Sequence, residues 1–130
     1  MRTIKFRGQK ISNGVWVYGS LVSSDALNTA IYFQVGNGSI KQMEWVYVNP
    51  DTVGQFTGLL DKNGKEIYEG DVVRHIDRNY SVDFYNGAFC LVDDLGVIHE
   101  DVANVMRSST IIGNIHDNPD LTKFVMRCDQ

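Results

Sequence analysis

The chain has 130 residues, of which 43% are hydrophobic and 22% are charged, and its formal net charge is −4. This length fits one domain, the composition argues against intrinsic disorder, and no apolar run is long enough to span a bilayer. The first residues alternate like a strand and contain no signal-peptide core. Two cysteines without a C-x-x-C spacing indicate neither a disulfide framework nor a zinc or redox site, so a cytoplasmic protein is expected.

The charge is unevenly distributed. Residues 1–10 hold four basic residues and no acid, whereas the remainder holds 8 basic and 16 acidic residues. An acidic body argues against a large nucleic-acid surface, because phosphate binding depends on cationic side chains and counterion release. A small basic edge on the first strand remains compatible with this balance.

Short alternating runs separated by glycine turns predict strands, and no long stretch has helical periodicity. In the first half the predicted strands cover residues 3–7, 15–22, 31–35 and 43–48. The segment 15–22 is apolar on both faces and is therefore predicted to be central.

The segment LLDKNGKEIYEGDVV, residues 59–73, carries four carboxylates, which belong to Asp61, Glu66, Glu69 and Asp71. A two-residue loop would oppose like charges, whereas a type I turn that starts at Asp61, with Gly64 in the left-handed position, opposes Asp61 to Lys65. The second register is predicted. Gly64 is not at the position that an EF-hand requires, so solvated turn acids are favoured over a calcium site.

A second hairpin is predicted from residues 80–85 and 88–92, joined by Asn86-Gly87 in a type I′ turn. This register opposes Phe84 to Phe89 and Val82 to Leu91. Further strands are predicted at 72–76 and 110–115, and a short helix at 118–126 with Asn118 as its N-cap. Residues 100–106 fit either a strand or a short helix.

Catalytic patterns are absent from the sequence. His75, His99 and His116 are isolated, and a half-exposed sheet position is favoured for each over a metal ligand. Cys90 is more consistent with a buried thiol than with a nucleophile. Nucleotide-binding loops and the serine-hydrolase elbow are missing, so neither a cofactor nor an enzymatic activity is expected. An enzyme with a divalent ion held by Asp71, Asp83 and a histidine is the least favoured hypothesis.

Tyrosine and tryptophan are abundant for a small domain, and most are expected to fill the core. Those that share one exposed face would form a recognition surface. With the basic residues, the candidate interaction surface comprises Arg2, Lys5, Arg7, Lys10, Trp16, Tyr18, Trp45, Tyr47, Arg74 and Arg78.

Three segments resemble the YopX protein family: IKFRG at 4–8, QFTGLLDKNGKEIYEGDVVR at 55–74 and IIGNIHDNPDL at 111–121. Two positions depart from the family pattern, since Gly8-Gln9 replaces a common Ala-Trp and Leu121-Thr122 replaces Leu-Leu. The family is encoded by phages and prophages and has no established biochemical function. The resemblance implies a mostly β fold with an SH3-like barrel or roll, and it implies no catalytic residues.

Together these observations predict a single, mainly β domain over residues 1–130. It would comprise an N-terminal β meander (about 1–50), an SH3-like roll (about 51–117) and the short helix at 118–126. The leading functional hypothesis is a non-catalytic phage accessory protein that binds a host or phage protein. The alternative is a small nucleic-acid-binding barrel that uses the basic N-terminal strand. No membrane partner is expected, and open sheet edges favour self-association without fixing the number of subunits.

Overall fold

The computed structural model describes residues 2–25, 28–36 and 39–121. Within them the fold is mainly β, as predicted, with antiparallel sheets and one short α-helix. No described helix has the length and hydropathy needed to cross a membrane. The elements are β1 (Phe6–Gln9), β2 (Trp16–Ser23), β3 (Thr29–Val35), β4 (Gln42–Tyr47), β5 (Gly54–Leu60), β6 (Glu66–Tyr68), β7 (Asp71–His75), β8 (Arg78–Tyr85), β9 (Ala88–Val92), β10 (Ile98–His99), α1 (Ala103–Arg107) and β11 (Thr110–Asn114).

The chain divides into two compact units, the first ending at Phe56 and the second beginning at Thr57. In the first unit the strand order is β4-β3-β2-β1-β5, and these neighbouring strands pair antiparallel. Strand β2 is therefore central, as its two apolar faces predict.

The first sheet curls until the ends of β1 and β4 meet. Lys10 and Val48 form a β-bridge. The Ile11 N–H donates to the Tyr47 carbonyl at 3.2 Å, and the Asn49 N–H donates to the Gln9 carbonyl at 2.8 Å. These contacts close one end of the sheet in the segment that was predicted to be an N-terminal β meander.

The first strand begins later than predicted, at Phe6 and not at residue 3. Pairing starts at Phe6, opposite Gly19, and Ile4 is 57% exposed, so the alternation at residues 3–5 does not reflect a buried face. The strand instead extends over Gly8, which is buried. Because Gly8 has no side chain, Val48 can pack closely against it; a Cβ added at Gly8 would lie 3.1 Å from the Val48 Cβ.

The second unit contains a five-stranded antiparallel sheet in the order β10-β9-β8-β7-β11. The last residues of β5 and strand β6 also belong to this unit. Its buried core draws side chains from both the sheet and the helix. The core residues are Ile67, Val73, Val82, Leu91, Val102 and Met106.

Both hairpin predictions are confirmed. The Gly64 N–H donates to the Asp61 carbonyl at 3.0 Å, Asp61 pairs with Lys65, and Gly64 has φ of 83°. In the second hairpin Asn86 and Gly87 both have positive φ, and Phe84 lies opposite Phe89. Turn chemistry therefore determines both registers locally.

The helical predictions have mixed outcomes. Helix α1 begins within the ambiguous stretch 100–106, and its Met106 is buried in the core. A 3₁₀ turn at Pro119–Leu121 occupies the start of the helix predicted at 118–126, and residues 122–126 lie outside the described residues.

Candidate functional site

The strand register of the first unit places most of its Tyr and Trp side chains on one side of the sheet. Paired residues in a sheet point to the same side, and side chains alternate along each strand. Tyr18 pairs with Arg7, Tyr32 pairs with both Ser20 and Trp45, and Tyr47 pairs with Ala30. We call this side the aromatic face; it comprises Arg7, Gln9, Trp16, Tyr18, Ser20, Val22, Ala30, Tyr32, Gln34, Met43, Trp45 and Tyr47.

The rings of the aromatic face contact one another across neighbouring strands. The Trp45 and Tyr32 rings are stacked, with centroids 6.1 Å apart and planes at 27°. Tyr47 meets Trp45 edge-on at 4.9 Å. Tyr18, Trp45 and Tyr47 nevertheless remain 47–48% exposed, so the packed rings still present a broad apolar area to solvent. Rigid, partly exposed Trp and Tyr side chains of this kind are typical binding hot spots.

The aromatic face carries a cation and no carboxylate. Arg7 is only 6% exposed, and its guanidinium carbon lies 4.5 Å from the centroid of the Trp16 ring. This cation–π contact holds Trp16 against the sheet. The first unit as a whole has five basic and three acidic residues, a net charge of +2, which differs in sign from the −4 of the chain.

The structure brings together five of the ten residues that the sequence proposed as an interaction surface. Arg7, Trp16, Tyr18, Trp45 and Tyr47 share the aromatic face. The surface proposed from the sequence did not include Tyr32, although alternation along the predicted strand 31–35 already placed Tyr32 on the other face of that strand from Ile31 and Phe33. Met43 was also left out.

Of the remaining predicted cations, three belong to the first unit and two to the second. Arg2 is exposed before β1, and Lys10 pairs with Val48, on the other side of the sheet. Lys5 precedes β1 in the same alternation as Arg7, and its Nζ lies 5.5 Å from the centroid of the Phe56 ring. Arg74 and Arg78 belong to the second unit. Arg74 donates to the Asn79 side chain at 2.9 Å, and Arg78 approaches Asp93 and Asp94 at 3.7 and 3.8 Å.

The buried carboxylate of Asp61 organises the turn between β5 and β6. Its Oδ1 accepts from the Asn63 and Lys65 N–H groups at 2.8 and 2.9 Å, and its Oδ2 accepts from the Ile111 N–H at 3.0 Å. Burial by itself raises the pKa of Asp61, but these hydrogen bonds outweigh it and place the pKa below its ordinary value. Asp61 is therefore structural and not solvated, contrary to the expectation for the turn acids.

Asp71 has a similar structural role. It is buried, and its Oδ2 accepts from the Tyr68 N–H at 2.7 Å. Ser81 faces Val72, and side chains alternate along both strands, so Asp71 and Asp83 lie on opposite faces of the sheet. These two carboxylates do not converge on one metal position, and residues 2–25, 28–36 and 39–121 contain no group of three metal-ligating side chains suited to an ion.

Two further titratable groups lie in the second sheet. The buried Asp93 carboxylate accepts from the Leu95 and Val97 N–H groups and lies 2.8 Å from His99 Nε2. Although burial raises the pKa of Asp93, the His99 contact and the two N–H donors bring it below its ordinary value.

The thiol of Cys90 is buried, as predicted, and burial, with Asp83 and Glu100 nearby, raises its pKa. Such a thiol is a poor nucleophile.

Comparison with known proteins identifies a family and a structural neighbour. A family model described as YopX protein matches residues 5–123. The crystal structure of protein EF1440 from Enterococcus faecalis superposes with a TM-score of 0.60 at 22% sequence identity, covering 94% of this chain and 99% of that chain. At this identity the likeness establishes the fold. A search of curated proteins found no significant match.

Proposed function

The chain belongs to the YopX protein family, and we propose that this member is a non-catalytic phage accessory protein that binds a protein partner through its aromatic face. The partner is a host or phage protein in the bacterial cytoplasm. The observation that carries the proposal is the set of packed but half-exposed rings of Tyr18, Trp45 and Tyr47 on one sheet face.

The aromatic face lacks carboxylates, and this indicates what kind of partner surface would complement it. The residues that define this face include no acid, and the first unit has a net charge of +2. A partner surface with exposed apolar side chains and acidic residues complements it, because charge complementarity guides association while buried rings supply affinity.

The position of Arg7 favours a protein over a nucleic acid. Binding to phosphates requires basic side chains that extend into solvent along the strand. Arg7 is buried over Trp16, and Lys10 points to the other side of the sheet. The basic N-terminal strand is thus divided between environments and does not form one phosphate-binding edge.

The non-catalytic part of the proposal is supported by how the titratable side chains are used. Asp61, Asp71 and Asp93 accept hydrogen bonds from backbone N–H groups that fix turns. Reproducible turnover of a nucleotide, a phosphodiester or a peptide by the pure protein would contradict this part.

Site-specific photo-crosslinking tests the proposed surface. A benzophenone amino acid replaces Tyr47 on the aromatic face or, as a control, Tyr85 in the second unit; the two positions are 47% and 51% exposed. In host cells we expect one protein to crosslink to position 47 and not to position 85, with or without nuclease. Crosslinking through position 85 alone, or to nucleic acid, would overturn the proposal.

The captured protein is then purified and titrated against variants. Trp45→Ser is expected to weaken binding at least about tenfold, because it removes the central ring of the face. Tyr85→Ser serves as the matched control and should leave the affinity unchanged. Equal affinities for wild type and Trp45→Ser would show that the partner docks elsewhere.

A further inference from the structure

We propose that strand β4 pairs with the β4 strand of a second copy of this chain, in an antiparallel register centred on Met43. The inference does not depend on the proposed function, because it concerns the edge of the first sheet and not its aromatic face. Three observations carry it: the direction of the β4 backbone groups, the exposure of the strand, and the charges that each register would oppose.

The backbone groups of alternate β4 residues point away from β3. Strand β4 is the last in the order of the first sheet. The Val48 N–H donates to the Thr29 carbonyl on β3, whereas the Tyr47 carbonyl accepts from Ile11 on the opposite side. Since backbone groups alternate in direction along a strand, Met43 and Trp45 direct their N–H and C=O groups to the same side as Tyr47, which is the open edge.

The available part of this edge is short and exposed. Tyr47 is already bonded to Ile11, so with respect to residues 2–25, 28–36 and 39–121 free pairing extends from Lys41 to Trp45. Every residue in this stretch is exposed, and Met43 is 58% exposed. Unpaired N–H and C=O groups on such an edge are completed by another strand and not by a nucleic acid, since a strand supplies alternating donors and acceptors at matching spacing.

Of the symmetric registers centred on Met43, Glu44 and Trp45, the one centred on Met43 satisfies the edge without conflict. Centring on Glu44 would oppose Glu44 to its own copy, and like charges directly opposite are destabilising. Centring on Trp45 would oppose Met43 to Tyr47, whose carbonyl is already occupied by Ile11. Centring on Met43 opposes Gln42 to Glu44 of the second copy and Lys41 to its Trp45, which gives an amide–carboxylate contact and a cation–π contact.

This pairing would place the aromatic faces of both copies on the same side of one continuous sheet. Paired residues point to the same side, so Met43 of each copy, a member of the aromatic face, lies beside its equivalent. A partner that presents two binding segments would then gain avidity from a single dimer.

Sedimentation of the full-length chain across a wide concentration range tests the inference. We expect a reversible monomer–dimer equilibrium. Met43→Pro removes an edge N–H without removing a bond to β3. Met43→Lys brings four ammonium groups together near the twofold axis of the dimer, those of Lys41 and of the new lysine in each copy. Each variant should weaken the dimer at least about tenfold. Val22→Lys places the same charge on the aromatic face but away from the edge, and this control should dimerise as wild type.

Amide hydrogen exchange reports the register without any substitution. The Met43 and Trp45 amides should become protected as the protein concentration rises, whereas the Glu44 and Val46 amides, which face β3, should be protected at every concentration. A chain that stays monomeric, a dimer insensitive to both Met43 variants, or protection of Met43 only after another protein is added would overturn the proposal.

Discussion

Replacing Gly19 with alanine is expected to destabilise the first unit by about 3 kcal/mol, because the new methyl group cannot be accommodated. A Cβ at Gly19 would lie well inside van der Waals contact with the backbone carbonyl oxygen of Tyr32, and 3.3 Å from Cγ2 of Ile31, which is fully buried. Neither the carbonyl nor the buried side chain can move without separating β2 from β3. The substitution therefore also disturbs the support of the aromatic face.

Tryptophan fluorescence measures this effect selectively. Both tryptophans of the chain, Trp16 and Trp45, lie on the aromatic face of the first unit. In urea, the fluorescence midpoint of Gly19→Ala should fall well below that of wild type. Ser20→Ala, a change at the exposed neighbouring residue, is the control and should unfold like wild type. Coincident curves for Gly19→Ala and wild type would contradict the close approach of these strands.

Replacing Asp61 with asparagine is expected to destabilise the second unit by about 2 kcal/mol. An amide can accept from Asn63 and Lys65 through its oxygen, but its NH₂ group then faces the Ile111 N–H, and that donor loses its partner. The lost hydrogen bond joins residues that are 50 positions apart. Thermal unfolding should therefore shift down by roughly 10 °C, and the Ile111 amide should exchange faster.

The stabilisation by Asp61 should disappear in acid. Its folded-state pKa lies below that of the unfolded chain, so the folded state binds the proton less well. The contribution is fully present above the unfolded value of about 4 and is lost as the pH falls through the folded pKa. The stability difference between wild type and Asp61→Asn should be constant near neutral pH and should shrink below pH 4.

Asp51 provides the matched control for this charge removal. It is exposed in the first turn of the 3₁₀ helix at Pro50–Thr52, so Asp51→Asn should change the melting temperature little. If both variants melted like wild type, or if the difference at Asp61 grew in acid, the structural role assigned to Asp61 would be wrong.

Local turn chemistry made the hairpins predictable from the sequence. Gly64 and Asn86-Gly87 provide the positive φ values that their turns require, and opposing charges selected the Asp61–Lys65 pairing. These choices depend on residues a few positions apart. The apolar residues on both faces of 15–22 likewise predicted that β2 is central, and β2 lies between β3 and β1.

Long-range packing explains what the sequence did not predict. Asp61 appeared to be a solvated turn acid because its partner Ile111 is distant in the chain. Arg7 appeared to be a surface cation, but it packs against Trp16 across the strand pair. Tyr32 became part of the candidate site only once the register aligned it with Trp45. Each outcome depends on contacts between separate segments of the chain, which local sequence patterns do not specify.

The most direct test of the aromatic face as a binding surface is acrylamide quenching of tryptophan fluorescence in the presence of the purified partner that photo-crosslinking identifies. Trp16 and Trp45 are the only tryptophans of the chain, so acrylamide quenching reports this face alone if the partner is labelled with a non-fluorescent tryptophan analogue. We predict that binding lowers the quenching constant of wild type. Unchanged quenching at saturating partner would show that the partner binds another surface and would contradict the account.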